Sequence, residues 1–334
     1  MKFYEQMRPE DEYNAVLLER EIDGNAFYKA HHAAFVVTDC PACGTKGNFS
    51  FTKYGFSHYT CPQCSTLYCS PRPPDSLISK YYTTYHAPAL WTQLLLKADL
   101  QRKVFQHTPR VERIIGSLVE CGHKKGGTAL DLGAGSGAFA ACLKNSGHFD
   151  NVIALDISAS CVSACTKAGL SARKGTITDM ESGTLDLICM NDLIEHVFEP
   201  VELLEACRRT LKPGGFLAIA TPNGEGFDFK ILKEKTKNIT PPEHLNYFNP
   251  SSMKLLLKRA GFTPVMVETP GILDVDIIRK ERETGFSLKE TNEYLDYLYG
   301  LNDAAVLENL QAFIVKSGLS SHMLAVAQLP EERS

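Results

Sequence analysis

From Gly126-Gly127 onward the chain alternates short apolar runs with helical patterns, and this alternation constrains its fold more than any other feature. Ala129–Leu132, Val152–Leu155, Leu185–Met190 and Phe216–Ala220 are apolar at successive positions. Ala138–Asn145, Ala159–Ala168 and Val201–Leu211 carry helical spacing between them. Apolar strands separated by helices predict a parallel sheet covered on both faces, an α/β doubly wound architecture. After Pro222 the order changes to a helix at Ser251–Ala260 and a strand at Pro264–Glu268. A mostly helical stretch, Leu288–Lys316, and a last strand, His322–Gln328, follow.

With 334 residues, 44% apolar and 22% charged, the chain has room for about two domains and the composition of a folded protein. Thirty-five Lys and Arg against 39 Asp and Glu leave a net charge of -4, which supplies no bulk attraction for nucleic acid or anionic lipid. No run reaches the roughly 18 apolar residues of a membrane span. Met1 to Arg20 is polar, without the apolar core of a signal peptide, so the expected location is the cytoplasm.

The N-terminal third has another texture. Residues 1–38 hold a weakly amphipathic stretch, Glu10 to Ile22, with no assignable chemistry. Residues 39–74 form a Gly-, Pro- and aromatic-rich module closed by Pro71-Arg72-Pro73-Pro74. Cys40-Pro-Ala-Cys43-Gly44 is followed, after seventeen intervening residues, by Cys61-Pro-Gln-Cys64, the spacing of a four-cysteine zinc site. Four thiolates close a tetrahedron and leave no open position, so the ion is expected to be structural. Binding free energy on the order of 10–16 kcal/mol would fold a module with almost no core. The remaining seven cysteines, Cys69 among them, are scattered and read as small apolar residues in a reducing compartment. Residues 75–126 are expected to hold two linking helices, Thr92–Gln106 and a second opened by Pro109 and running to Cys121.

The string Ala129-Leu-Asp131-Leu-Gly133-Ala-Gly135-Ser-Gly137-Ala138 reads as strand, glycine loop and helix start. Such a loop lets the backbone approach a ligand while the helix N-terminus offers free amides. By itself it also satisfies the dinucleotide fingerprint, and Asp156, nineteen residues past Gly137, suits an NAD ribose equally well. Asp131 is the first of three features that break the tie, because an acid two residues before the first glycine repels a pyrophosphate and suits a cationic ligand. Beyond it stand "NDLIEH" at 191–196 after the fourth strand and "LKPGG" at 211–215 before the fifth.

Together the "LDLGAGSG", "EH" and "LKPGG" blocks resemble the class I S-adenosylmethionine-dependent methyltransferases over about residues 127–270. The preceding cysteine module, through Tyr81-Tyr82 and Tyr85, is similar to the zinc-binding leader of one subgroup, which methylates sugars and other small molecules. The tail resembles ubiquinone-type methyltransferases, with a helical insertion at about 272–321. The resemblance implies a seven-stranded sheet of order 3-2-1-4-5-7-6 with strand 7 antiparallel, in a domain covering 127–334. It further implies that Gly133, Gly135 and Gly137 line the methionine part of S-adenosylmethionine and that Asp131 faces its ammonium. Asp156 would take both ribose hydroxyls, Ile157 would lie against the adenine, Asp179 would take the adenine amino group beside Met180, and Asn191 would lie near the sulfonium. His244 is the implied base and His196 the alternative, each usable at neutral pH with an ordinary imidazole value of about 6.5. Tyr81, Tyr82, Tyr85 and Tyr247 are candidates for the wall of the acceptor pocket.

The function so implied is O- or C-methylation of a small molecule such as a sugar or nucleotide sugar, with the acceptor and the oligomeric state left open. Two rivals stand beside it. An RNA methyltransferase is opposed by the net charge and by Asn191-Asp192-Leu193-Ile194, where base-amino methylation would call for Asn/Asp-Pro-Pro-Tyr. A non-catalytic cofactor-binding scaffold is opposed by the intact glycine loop and Asp156.

Overall fold

A computed structural model describes residues 2–331; Met1 and residues 332–334, which end the first and last expected segments, lie outside the described residues. The strands are β1 (Asn48–Lys53), β2 (Phe56–Thr60), β3 (Leu67–Cys69), β4 (Thr128–Leu132), β5 (Asn151–Asp156) and β6 (Ser171–Lys174). They continue with β7 (Leu185–Asn191), β8 (Leu211–Pro222), β9 (Asn246–Tyr247), β10 (Thr263–Glu268) and β11 (His322–Gln328). One sheet has seven strands in the order β10-β11-β8-β7-β4-β5-β6, and β11 runs antiparallel to both of its neighbours. Numbered by their order within this sheet, the strands read 3-2-1-4-5-7-6 from the opposite edge, the expected topology.

Burial on both faces explains the unbroken apolar runs. Ala129, Val152, Ala154, Leu187, Cys189, Ala218 and Ala220 enter one core, under the helix Ala138–Asn145 and the helix Thr108–Glu120. The alternate residues Leu130, Leu132, Leu155, Ile188, Met190, Leu217 and Ile219 enter the other, under the helices Pro200–Thr210 and Pro250–Arg259. Three of the scattered cysteines, Cys165, Cys189 and Cys207, are buried in these two cores as small apolar residues.

A second sheet has the order β1-β2-β3-β9. Its first three strands belong to the cysteine module and its fourth follows His244. The module therefore shares backbone hydrogen bonds with residues 127–334. It shares a core as well, since Cys40, Ala42, Cys61 and Tyr68 pack in the same cluster as Ile188 and Leu256.

Two helices differ from expectation. The stretch 92–106 is not one helix: helices cover Ala87–Lys97 and Asp99–Arg102, and the chain widens into a π-turn at Lys103–His107. Pro109 accounts for the widening, because it lacks an N–H and its ring crowds the carbonyl four residues earlier. The N-terminal stretch is instead longer than read, a single helix over Glu10–His31. Its buried stripe, Tyr13, Val16, Arg20, Asp23, Gly24 and Phe27, has helical spacing. Two of those positions carry charges, which is why its amphipathic pattern is weak in the sequence. Gly24 permits the helix to approach closely, since a Cβ there would lie 3.0 Å from the Pro241 carbonyl oxygen.

Candidate active site

Of the residues expected to bind the cofactor, Asp131, the three glycines, Asp156, Ile157 and Asn191 lie at the carboxyl ends of β4, β5 and β7, whereas Asp179 and Met180 follow β6. Gly133, Gly135 and Gly137 all have positive φ, at 74°, 53° and 82°. Two of them serve different needs. A side chain on Gly137 would strike Leu170 and Cys165, whereas a Cβ on Gly135 meets nothing within 4 Å and so leaves an open cradle. Asp156 fixes that cradle: its Oδ2 accepts from the Gly135 N–H at 2.9 Å and its Oδ1 from the Ser158 N–H at 2.8 Å. Ser158 caps the next helix, and Ile157 between them is exposed.

Asp131 lies buried beneath the loop. Its Oδ1 accepts from Asn191 Nδ2 at 3.3 Å, while its Oδ2 has no hydrogen-bond partner among the described residues. Burial pushes this carboxyl up to about 7, against the lowering pull of the Asn191 hydrogen bond. Asn191 is itself oriented by Arg110, whose Nη1 donates to its Oδ1 at 2.7 Å. Arg110 is buried on the helix Thr108–Glu120 and carried no recognisable signal in the sequence. Beside it Asp192, at φ 52°, meets His322 Nε2 at 2.9 Å. Asp179 is exposed, and its Oδ2 accepts from the Thr176 N–H at 2.7 Å in a capping box. That backbone bond holds its carboxyl below the usual range. Met180 next to it is half-buried against the core.

The two histidines come together from different parts of the chain, their rings 4.7 Å apart and nearly perpendicular. His196 follows β7, and His244 lies in the loop between β8 and β9. His196 Nδ1 is 2.8 Å from the Glu243 carbonyl oxygen and 2.9 Å from the Tyr82 hydroxyl. His244 Nδ1 is 2.9 Å from the Asn238 carbonyl oxygen. A carbonyl only accepts, so both Nδ1 atoms carry the proton and both Nε2 atoms present a lone pair. Burial drives His244 well below the ordinary imidazole range, and neighbouring His196 and Arg20 push it the same way. It is thus neutral over a wider range than its unperturbed value implied.

Of the four tyrosines, Tyr82 alone touches a histidine ring nitrogen among the described residues. Tyr81 and Tyr247 are buried, at 1% and 0% exposure; Tyr81 reaches Glu243 Oε1 at 3.4 Å, and Tyr85 stacks on it at 5.2 Å. Glu195 and Glu243 stood in the "EH" and "PPEH" strings without a role. Glu195 is fully buried, with Thr221 donating to its Oε2 at 2.9 Å and its Oε1 unpartnered among the described residues. Burial and nearby Asp192 raise its carboxyl well above the usual value.

The four module cysteines converge. Cys40 and Cys64 Sγ lie 3.5 Å apart, Cys43 and Cys61 3.4 Å, and Cys43 and Cys64 3.6 Å. A tetrahedral zinc with 2.3 Å bonds sets its sulfurs roughly 3.8 Å apart, so the donor set fits such an ion. The two knuckles repeat each other. Gly44 N–H donates to Cys40 O at 2.8 Å and Ser65 N–H to Cys61 O at 3.0 Å, with both residues at positive φ. The Ser65 turn carried no glycine to announce it.

Comparison with known proteins bears on the cofactor. Residues 100–267 of the 334 match the family described as "Methyltransferase domain". An uncharacterized protein of Methanocaldococcus jannaschii is 24% identical over 160 residues, covering 47% of this chain and 75% of that protein. The ubiquinone biosynthesis O-methyltransferase of Paraburkholderia xenovorans is 30% identical over 112 residues, 30% of this chain, which spans 47% of that enzyme's length. Among solved structures, a putative methyltransferase complexed with the Trm112 activator in Haloferax volcanii is 18% identical with a TM-score of 0.49. That match covers 70% of this chain and 94% of the other. With the family match running through the glycine loop and the strands on either side of it, over half its length, the chain belongs to the methyltransferase-domain family and is an S-adenosylmethionine-dependent methyltransferase.

Proposed function

We propose that this enzyme methylates oxygen or carbon of a small molecule, such as a sugar, a nucleotide sugar or another secondary or cell-surface metabolite. The observation that carries the reading is the pair His196–His244, half-buried, with both Nδ1 atoms tied to backbone carbonyls and both Nε2 lone pairs left available. His244 is the proton acceptor for the attacking group, and His196, backed by Tyr82, positions the acceptor beside it. The likeness to ubiquinone biosynthesis O-methyltransferases supports oxygen as the target atom.

S-adenosylmethionine supplies an electrophilic methyl group, and the chain supplies alignment and proton removal. Asp131, with a buried Oδ2 that is unpartnered among the described residues, suits the ammonium. Asp156 suits the ribose hydroxyls through its remaining lone pairs, Gly133, Gly135 and Gly137 would line the methionine part, and Asn191 would lie toward the sulfonium. Exposed Ile157, with Met180 and Asp179, is assigned to the adenine. For Asp179 the assignment leaves its Oδ1 as the acceptor, because Oδ2 is held by Thr176.

Cys40, Cys43, Cys61 and Cys64 hold one structural Zn2+ in the module 39–74, which marks the chain as one of the zinc-leader methyltransferases. Residues 75–126 link it to the catalytic part at 127–334, and the helices between 272 and 321 form an insertion there. No helix of the described residues is long and apolar enough to cross a membrane.

The test is transfer of a radiolabelled methyl group to a fractionated metabolite extract and, in parallel, to total RNA. Label in a small-molecule fraction is expected. Label in RNA alone would overturn the reading in favour of the RNA methyltransferase.

A further inference from the structure

Three residues around the acceptor side have more donor capacity than proton transfer needs. One ligand atom each from Glu195, His196 and His244 lie within 4.8 Å of one another. Only His244 is distant in sequence from the adjacent pair Glu195 and His196, and the fold brings it to them: Glu195 and His196 follow β7 in a 3-10 turn, while the Leu245 N–H donates to the Glu195 carbonyl oxygen at 2.8 Å and brings His244 alongside.

Each group is already arranged as a metal ligand is. Both imidazoles donate Nδ1–H to a backbone carbonyl, Glu243 O at 2.8 Å and Asn238 O at 2.9 Å, the outer contact that fixes ring orientation and directs Nε2 electrons outward. Glu195 is held at one oxygen by Thr221 at 2.9 Å, and its other oxygen is fully buried without a partner among the described residues. A buried polar atom left unsatisfied is destabilising, so a ligand at this oxygen would be favoured. Bonds of about 2.0–2.2 Å to a tetrahedral ion set neighbouring N and O donors roughly 3.4 Å apart. Closing 4.8 Å to that separation takes side-chain adjustments of about 1.4 Å at most. Both histidines are half-buried rather than sealed, so an ion has a way in.

We propose that Glu195, His196 and His244 form a second metal site, separate from the four cysteines, for a borderline divalent ion of the Zn2+ or Co2+ kind, and that its occupation inhibits methyl transfer. Two imidazoles and one carboxylate suit such ions better than Mg2+ or Ca2+, which prefer all-oxygen sets. The inhibition rests on the proposed role of His244: the lone pair that would accept the proton is the one the ion takes.

The experiment uses full-length protein carrying its cysteine-bound metal, titrated with CoCl2 and followed by visible absorption and by metal content after desalting. A second equivalent is expected, with visible d–d bands of a tetrahedral ion and no thiolate charge-transfer band, and brief EDTA treatment should remove it while the cysteine-bound ion stays. Glu195→Gln should weaken this equivalent at least about tenfold. His196→Gln, nearer the surface, should do the same and serves if the buried variant does not fold. Loading should lower turnover at least tenfold, and EDTA should restore it.

Absence of a second equivalent in the wild-type protein, or an equivalent that both variants retain, overturns the site. Full turnover of the loaded enzyme overturns the inhibition. The catalytic reading fails separately: a His244→Ala variant that turns over normally would discard His244 as the base, whatever the cobalt titration gives.

Discussion

Arg20 and Glu243 form a buried two-point ion pair across 223 residues of sequence, Nε to Oε1 at 3.0 Å and Nη2 to Oε2 at 2.7 Å. Arg20 also lies over the Trp91 ring at 4.6 Å. The helix Glu10–His31 is therefore fastened to the residue immediately before His244. A second tether runs from the cysteine module, where Arg72 Nη1 donates to Asn246 Oδ1 at 2.8 Å. The loop bearing the proposed base is held from both sides by segments that precede the catalytic sheet.

Removing one member of the ion pair leaves the other charge buried and alone. Arg20→Met should cost about 3–5 kcal/mol by denaturant titration, whereas Arg20→Met with Glu243→Leu should recover most of that stability. If the double variant is as unstable as the single one, packing and not charge carries the contact.

Asp131 works against the fold that holds it. Folding raises its carboxyl to about 7, so the neutral form is favoured in the native state. The associated stability is full below the unfolded value of about 4 and is lost as pH rises toward 7, an effect of up to about 4 kcal/mol. Asp131→Asn should therefore melt higher than wild type at pH 8 in the absence of cofactor and show a flatter pH dependence. It should also bind S-adenosylmethionine at least tenfold more weakly. Parallel melting curves across pH would refute the assignment of this group.

Asp156→Ala should weaken S-adenosylmethionine binding by tenfold or more, with each charged hydrogen bond contributing about 1.5–3 kcal/mol. Because Asp156 also anchors the Gly135 and Ser158 amides, the variant should lose roughly 1–3 kcal/mol of stability without any cofactor. Calorimetry and melting on the same sample separate the two effects.

For the cysteine module, metal analysis should give one zinc per chain bound with high affinity, and Cys61→Ser should lose it. The loss should spread, since β3 pairs with β9 and Asn249 Nδ2 donates to the Cys64 carbonyl oxygen at 2.8 Å. Turnover and near-ultraviolet dichroism should both fall after metal stripping. A stripped protein with full turnover would make the ion dispensable to the active site.

His244→Ala should reduce turnover ~10²-fold while leaving S-adenosylmethionine affinity unchanged. His196→Ala is the comparison. If it alone abolishes turnover at equal stability, the two roles are exchanged.

Local sequence was sufficient wherever the physics is local. The strands β4, β5, β7, β8 and β11 are legible because burial on both faces demands apolar residues at every position. The glycine loop and the first CxxC knuckle are legible because positive φ selects glycine, as at Gly133 and Gly44. Sequence order also brought Asp131, Asp156 and Asn191 to one edge, since parallel strands all end on the same side. What only the tertiary structure decided are contacts between polar groups far apart in the chain. Arg110 orienting Asn191, Arg20 holding Glu243, Tyr82 reaching His196 and Glu195 buried beside two imidazoles leave no periodic trace. A charge that is stabilised by one distant partner looks, in sequence, like any solvated charge. The N-terminal helix shows the consequence, because Arg20 and Asp23 on its buried stripe disguise as weakly amphipathic the element that fastens the catalytic loop.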